Sequence, residues 1–543
     1  MNQVTINNSV NQNSINQNYS ENIFLRKTFD LEKRDYIYSG IFLVASILLS
    51  FMGIFGGFGI GMSISFILMF SVITFYLYKG KKITLFPLFC FVFSLAVSLS
   101  FTLTSNGTIR FFSVVCSLVL SLIWFTASRG KIEEKGDLDI LEKILLPIFE
   151  FVLPNLPVGV YSIFEGKGKK NKNLGMALIG CAVSVPFLLV IIPLLMSSDE
   201  AFCGMIKLFF GNIVSSVLKL VFAVVITVLL IAYCFTLKKE EFSKENNLSF
   251  ISAPNAVLIA FLSVISLCYL AYLFSQLAYF FSAFSGFLPS GYEFTVAKYA
   301  RRGFFEMSAI AAINFLLIFG TLLLSNKEKG KSCITLRILE TFIGIFTLII
   351  ISTAISKMIL YIKSFGMTQL RIGTSAFMIA LFIIFISLIL RLFIPKIRVI
   401  RTGIIIFTVV LTFLGTFNIN SIIASYNYNA YKREKLETID IQELYDLSHE
   451  GIPYIIELAE SKDEEVSELA KEYLYDALCE GGYDIYVDAN YTGFEIKTNK
   501  TEKLSSFSVP YSKANRAIYD YVDKDSQFIA DQYNKYYADV EVY

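Results

Sequence analysis

Stretches of about twenty apolar residues recur along this chain. A stretch of that length suits one task above all, crossing a bilayer as a helix, because lipid offers no partner to an unsatisfied backbone group. By that rule about eleven spans are expected. They lie near residues 36–55, 58–78, 83–103, 111–127, 175–195, 214–235, 255–273, 303–324, 336–361, 374–392 and 402–417. Composition agrees: 55% of the 543 residues are hydrophobic, above the roughly 45–50% usual for soluble domains. The expected fold class is an all-α polytopic membrane protein carrying a small α-rich extracytoplasmic C-terminal domain.

Three segments depart from the span pattern. Residues 1–30 begin with an Asn-, Gln- and Ser-rich run and read as a disordered polar tail. Residues 138–165 mix charges and prolines (Pro147, Pro154, Pro157) into an apolar background and read as an interfacial or half-inserted segment. Ser275–Leu288 is apolar but too short to cross, so it is a helix extension beyond the lipid or a re-entrant piece. Residues 31–420 form the membrane domain on this reading. From residue 421 the chain turns acidic and Tyr-rich, and two short helices flank Gly451-Ile452-Pro453. A third helix stops at Gly481-Gly482, alternation in DIYVDANYTGFEIKT gives a minor strand element, and a final helix covers 513–533.

Lys and Arg in the short loops set the orientation. Lys79–Lys82, Arg129–Lys135, Lys167–Lys172, Lys238–Lys244, Lys327–Lys331 and Arg391–Arg401 share one side when there are eleven spans, together with the basic collar Arg26–Arg34. That side is expected to be cytoplasmic, with the N-terminus, and the C-terminal domain lies outside.

The chemistry on offer is sparse. The single histidine, His449, falls in the soluble region, and no two of the eight cysteines are spaced as CxxC. A His-based metal centre or a Ser–His or Cys–His nucleophile inside the membrane is therefore not expected, and no metal or cofactor is called for. GKGKK at 166–170 does not match a phosphate-binding loop. What stands out is basic charge on the side where such charge is disfavoured. Lys298, Arg301 and Arg302 precede the span at 303–324, and Lys357, Lys363 and Arg371 bracket the turn between the next two. On a helix Tyr299, Arg302 and Glu306 share a face, as do Thr353, Lys357 and Tyr361. Snorkelling to headgroups explains such residues without any ligand. The sharper reading is an anion-binding site of Tyr299, Arg301, Arg302, Glu306, Lys357, Tyr361 and Arg371. In it Arg302–Glu306 is an orienting pair, and Arg301, Lys357 and Arg371 face the anion.

Tyr299-Ala300-Arg301-Arg302-Gly303-Phe304-Phe305-Glu306, Lys357-Met358 with Leu360-Tyr361, Gly366-Met367-Thr368 with Leu370-Arg371, and Asn420 with Ile423 and Tyr426-Asn427 together carry a resemblance. So does the helical LYDLSHEGIPYIIELA that follows. The chain resembles a family of bacterial multi-spanning membrane proteins catalogued as a domain of unknown function, over roughly Asp139 to Glu460. The family typically has Arg where this chain has Lys357 and Leu where it has Met367; Lys keeps the charge but not the bidentate geometry. The resemblance implies the architecture and a bacterial cell membrane location, but no reaction. The expected function is non-catalytic: transporter-like, sensing or envelope-organising. The partners expected are the lipid bilayer, an anionic lipid or envelope polymer, and a protein docking on the C-terminal domain, with no nucleic acid. Two alternatives are an integral-membrane enzyme acting on lipid-linked or phosphorylated substrates, with Glu306 as base, and a structural scaffold.

Overall fold

The computed structural model describes residues 31–80, 83–130, 140, 155–164, 191, 195, 198–238, 253–285, 304–325, 333–481, 483–487, 494–498, 507–524 and 531–532. Ten helices among them are long and apolar enough to cross a membrane. They are α1 (Lys33–Leu48, continued as a π-turn to Ile54), α2 (Ile60–Leu77), α3 (Leu85–Ser98, with a last turn to Leu103) and α4 (Gly107–Ser128). After α5 (Leu156–Phe164), too short to cross, come α6 (Glu200–Lys238), α7 (Asn255–Ser285), α8 (Phe304–Leu324), α9 (Ile334–Phe365), α10 (Gln369–Phe393) and α11 (Val399–Thr416). Each coincides with an expected span, and the chain is an all-α polytopic membrane protein. The tail at 1–30 lies outside the described residues, as do all but 191 and 195 of the expected span at 175–195 and most of the segment at 138–165. Ser275–Ser285 continues α7 as helix, and the last three residues of the expected stretch lie outside the described residues.

The chain divides into two compact units, residues 1–44 with 151–236, and residues 45–150 with 237–543. In the first, α5 packs tightly on α6: a Cβ on Gly159 would stand 2.5 Å from the Val228 carbonyl oxygen. Asn155 donates to the Thr236 hydroxyl at 3.0 Å.

The second unit holds the rest. Its span core runs through α7, α8, α9 and α10, with Ile318, Phe346, Ile350 and Phe385 fully buried. Polar stitches cross this core. Tyr269 donates to Asn314 at 2.6 Å, Asn314 to Thr347 at 2.9 Å, and Thr321 to the buried Glu340 at 2.8 Å. Asn314 sits at the middle of α8, so Tyr269, Asn314 and Thr347 form a mid-span polar chain the sequence did not announce. Each group is satisfied, as a polar group away from water must be.

Helix ends in this unit segregate to two faces. At one face Arg129 donates to the carbonyls of Leu237 and Lys238 at 3.2 and 3.1 Å. Ala253 N–H donates to Leu324 there, and the guanidiniums of Arg337 and Arg401 lie over Phe393 and Phe86. Lys79, Arg391, Lys396 and Arg398 belong to the same face. At the other face are the turns after α1, α3, α9 and α11, and on them sits the helical domain.

That domain begins earlier than composition indicates. Asn418, in the left-handed region at φ 46°, breaks α11 from α12 (Ile419–Lys432). Asn is among the few residues other than glycine that adopt this conformation readily. Then follow α13 (Ile441–Asp446), a 3₁₀ turn (Ser448–Glu450), α14 (Ile452–Ala459), α15 (Glu464–Gly481), the antiparallel pair β1 (Tyr483–Val487) and β2 (Phe494–Thr498), and α16 (Val509–Lys524). α13 and α14 flank the expected Gly451-Ile452-Pro453 turn and α15 ends at Gly481, while α16 starts four residues before the helix expected at 513–533, most of whose second half lies outside the described residues. Asp440 caps α13 by accepting from Glu443 N–H at 3.0 Å, and Pro453 stands in the first turn of α14, where its missing N–H costs nothing. Their common core includes Ile423, Leu444, Ile455, Leu474 and Ile518, and reaches Ile109 at the start of α4.

Candidate functional site

The junction between domain and spans is built from buried and half-buried polar residues. Glu450, 5% exposed, accepts from the backbone N–H of Ser105 at 3.0 Å and from the Ser105 hydroxyl. Asn106 caps α4 through Ile109 N–H and donates to Asn420, which donates to the Leu447 carbonyl. Arg110 closes the same turn from below, its Nε and Nη2 donating to the carbonyls of Thr104 and Phe101 at 2.8 and 3.2 Å. A buried network with every member satisfied is rigid and specific, whereas one left half-paired would be costly.

A second joint lies two helical turns along α12. Asn427 accepts from Met367 N–H at 2.7 Å and donates to the Met367 carbonyl at 2.8 Å, gripping the turn between α9 and α10. Gly366 makes that turn, at φ 77°, and a Cβ there would stand 2.7 Å from Asn427 Oδ1. Thr368 caps α10 by accepting from Arg371 N–H. Arg371 Nη1 donates to the carbonyls of Phe365 and Gly366 at 2.8 and 2.7 Å, and its guanidinium stacks 4.1 Å from the Tyr361 ring centroid. A third joint is backbone only: Ile60 N–H donates to the Phe507 carbonyl at 2.9 Å.

Of the residues expected to bind an anion, Tyr299, Arg301 and Arg302 lie outside the described residues. Glu306 is exposed in the first turn of α8, and Lys357 is half-buried on α9. These two helices pack directly. Asn314 lies opposite Thr347 and Thr321 opposite Glu340. Continued about three turns, that antiparallel register brings Phe304, which follows the YARRG stretch, level with Lys357. Tyr361 and Arg371 are brought together, but as a cation–π pair that ties the start of α10 to the end of α9. That clamp is a role the expected anion-facing Arg371 did not include.

Along the face of α12 turned away from the core lies an open cavity of about 890 Å³. Along α12, Phe417 and Ile422 line one end, Ser421, Ser425 and Asn429 the middle, and Arg433 and Lys435 the other end, with Leu103, Val509 and Lys513 also on its wall. These cations were not singled out from sequence. Arg433 and Lys435 look like a solvated charge run, and Lys513 is about eighty residues from them. Only the helical spacing of Ile419, Ile423, Asn427 and Ala430 could have placed a helix, and with it a second face, at 419–432.

No curated protein and no solved structure shows detectable similarity to the chain. A family model does match, over residues 91–458, beginning upstream of the stretch on which the sequence resemblance rested. The chain belongs to the family described as a domain of unknown function (DUF4153).

Proposed function

We propose that this integral membrane protein is non-catalytic, a sensing or envelope-organising device that couples an extracytoplasmic helical domain to its spans. The supporting observation is the set of buried polar joints, Glu450–Ser105, Asn106–Asn420 and Asn427–Met367. A domain on a loose tether has no need of them; a domain whose movement must reach the spans does. The orientation is supported by charge: the face opposite the domain carries Lys79, Arg129, Arg391, Lys396 and Arg398, as a cytoplasmic face should. On this reading the N-terminus is cytoplasmic and the membrane is a bacterial cell membrane. Tyr299, Arg301, Arg302 and Glu306, with Lys357 and Tyr361 from the neighbouring span, form the anion-binding cluster at the domain-bearing face.

Coupling is tested by hydrogen exchange on the full chain in nanodiscs, comparing wild type with a Glu450→Gln, Asn427→Ala double variant. The expected result is faster exchange at both 104–106 and 366–369, together with α12. Loosening confined to the domain, with both span turns as protected as before, overturns the coupling.

A further inference from the structure

The cavity beside α12 has a composition that points to a ligand. Arg433, Lys435 and Lys513 are exposed, and among the described residues their side chains make no ion pair and no hydrogen bond. None of the described residues lining the cavity is acidic. Three unneutralised cations around one concavity focus positive potential on whatever enters it. At the far end Phe417 and Ile422 are 62% and 41% exposed, a large apolar surface left open beside the charge.

The position of the cavity narrows the choice. α12 does not stand away from the spans. Asn420 is bonded at the α3–α4 turn and Asn427 at the α9–α10 turn, so the helix lies across the end of the bundle. Leu436, next to Lys435, reaches the Gly366 turn. Lys513 is one turn beyond Val509, close to where Phe507 meets the start of α2. The cationic end is thus held at the level where spans emerge, the level of headgroups. Its apolar end opens beside the last residues of α3 and α11. A cavity of several hundred Å³ with mixed polar and apolar lining is the size of an ordinary ligand site.

We propose that this groove binds an anionic phospholipid. The phosphate lies between Arg433 and Lys435, the glycerol region over Asn429 and Ser425, and the acyl chains run past Ser421, Phe417 and Ile422 into the bilayer, with Lys513 adding positive charge on the wall. This goes beyond the coupling reading, and it holds whichever leaflet the domain faces.

The test uses the full chain in nanodiscs of mixed phosphatidylglycerol and phosphatidylcholine, with retained lipid counted by native mass spectrometry after gentle extraction. Wild type is expected to retain phosphatidylglycerol preferentially. An Arg433→Gln, Lys435→Gln, Lys513→Gln variant should lose that preference at least about tenfold, a loss of roughly 1.4 kcal/mol. Ser421→Phe, which fills the groove and leaves the charges in place, should lower retention as well. Equal retention of the two lipids by wild type overturns the proposal, and so does a triple variant that folds and keeps the preference. If the triple variant has no cooperative melt, exposed Arg433→Gln alone decides: a several-fold loss supports the groove, and wild-type retention overturns it. Displacement of the lipid by millimolar inorganic phosphate would make this a free-anion site and overturn the lipid assignment. A preference that survives in the triple variant but vanishes in Lys357→Gln would assign the lipid to the span cluster, overturning the groove and leaving the coupling reading standing.

Discussion

Asn427 is the residue on which the α9–α10 turn depends. Its amide satisfies both the N–H and the carbonyl of Met367, so truncation leaves two half-buried backbone groups unpaired. Asn427→Ala should cost about 2–4 kcal/mol, since each orphaned group costs roughly 1–3 kcal/mol. A thermal melt of the detergent-solubilised protein checks this, and a shift within error of wild type would show that water replaces the amide. Gly366→Ala should be harmful for two reasons, a φ of 77° and a Cβ only 2.7 Å from Asn427 Oδ1. The expected loss is about 1–3 kcal/mol in the same melt, and an unshifted melt would mean that the turn relaxes freely. Both residues stand out in the sequence, inside Gly366-Met367-Thr368 and Tyr426-Asn427. Their partnership does not, because sixty residues separate them and only a folded chain shows which amide grips which turn. Arg371 was visible as a base out of place, yet its work on the Phe365 and Gly366 carbonyls was hidden, since a clamp and an anion site use the same side chain.

At the scale of elements, α13 presses an acid against this same turn. Burial pushes the Glu443 carboxyl up to about 6, with Asp440 and Asp446 adding to the effect. A hydrogen bond from the Gln369 backbone and the charge of Arg371 oppose it. Between the ordinary value of 4.5 and about 6 the folded state therefore holds more protons than the unfolded one. Stability from this site is greatest at low pH, falls as pH rises through that window and is flat above it. Glu443→Gln should raise the melting midpoint at pH 7.5, and its advantage should shrink toward zero near pH 4.5. An advantage independent of pH would remove ionisation as its cause. Spans were the most legible elements because twenty apolar residues in a row leave few other readings. α12 was the least legible. No Gly or Pro marks its start, its break is a left-handed asparagine, and SIIASYNYNAYK resembles a polar linker until the buried side of Ile419, Ile423 and Ala424 is seen.

Across the whole molecule, loop charge predicts which way round the bundle sits. Alkaline phosphatase fused after Thr438 should be active and a fluorescent protein there dark, with the reverse after Lys396. The opposite pattern would invert the membrane orientation while leaving the segregation of helix ends intact. That segregation was implicit in the alternation of basic and neutral loops, whereas the seating of the domain on the neutral ends was not, because it rests on pairs such as Glu450 and Ser105, 345 positions apart. The course of α12 has a mechanical consequence. Two turns of helix between Asn420 and Asn427 form a strut about 10 Å long, pinned at one end to the α3–α4 hairpin and at the other to the α9–α10 hairpin. Hairpins pinned in this way cannot splay where the strut holds them, though they remain free to part at the opposite ends. A bundle tied along one rim opens like a clothes-peg, toward a single side of the bilayer, and a cycle that must open both sides in turn would have to break the strut on every stroke.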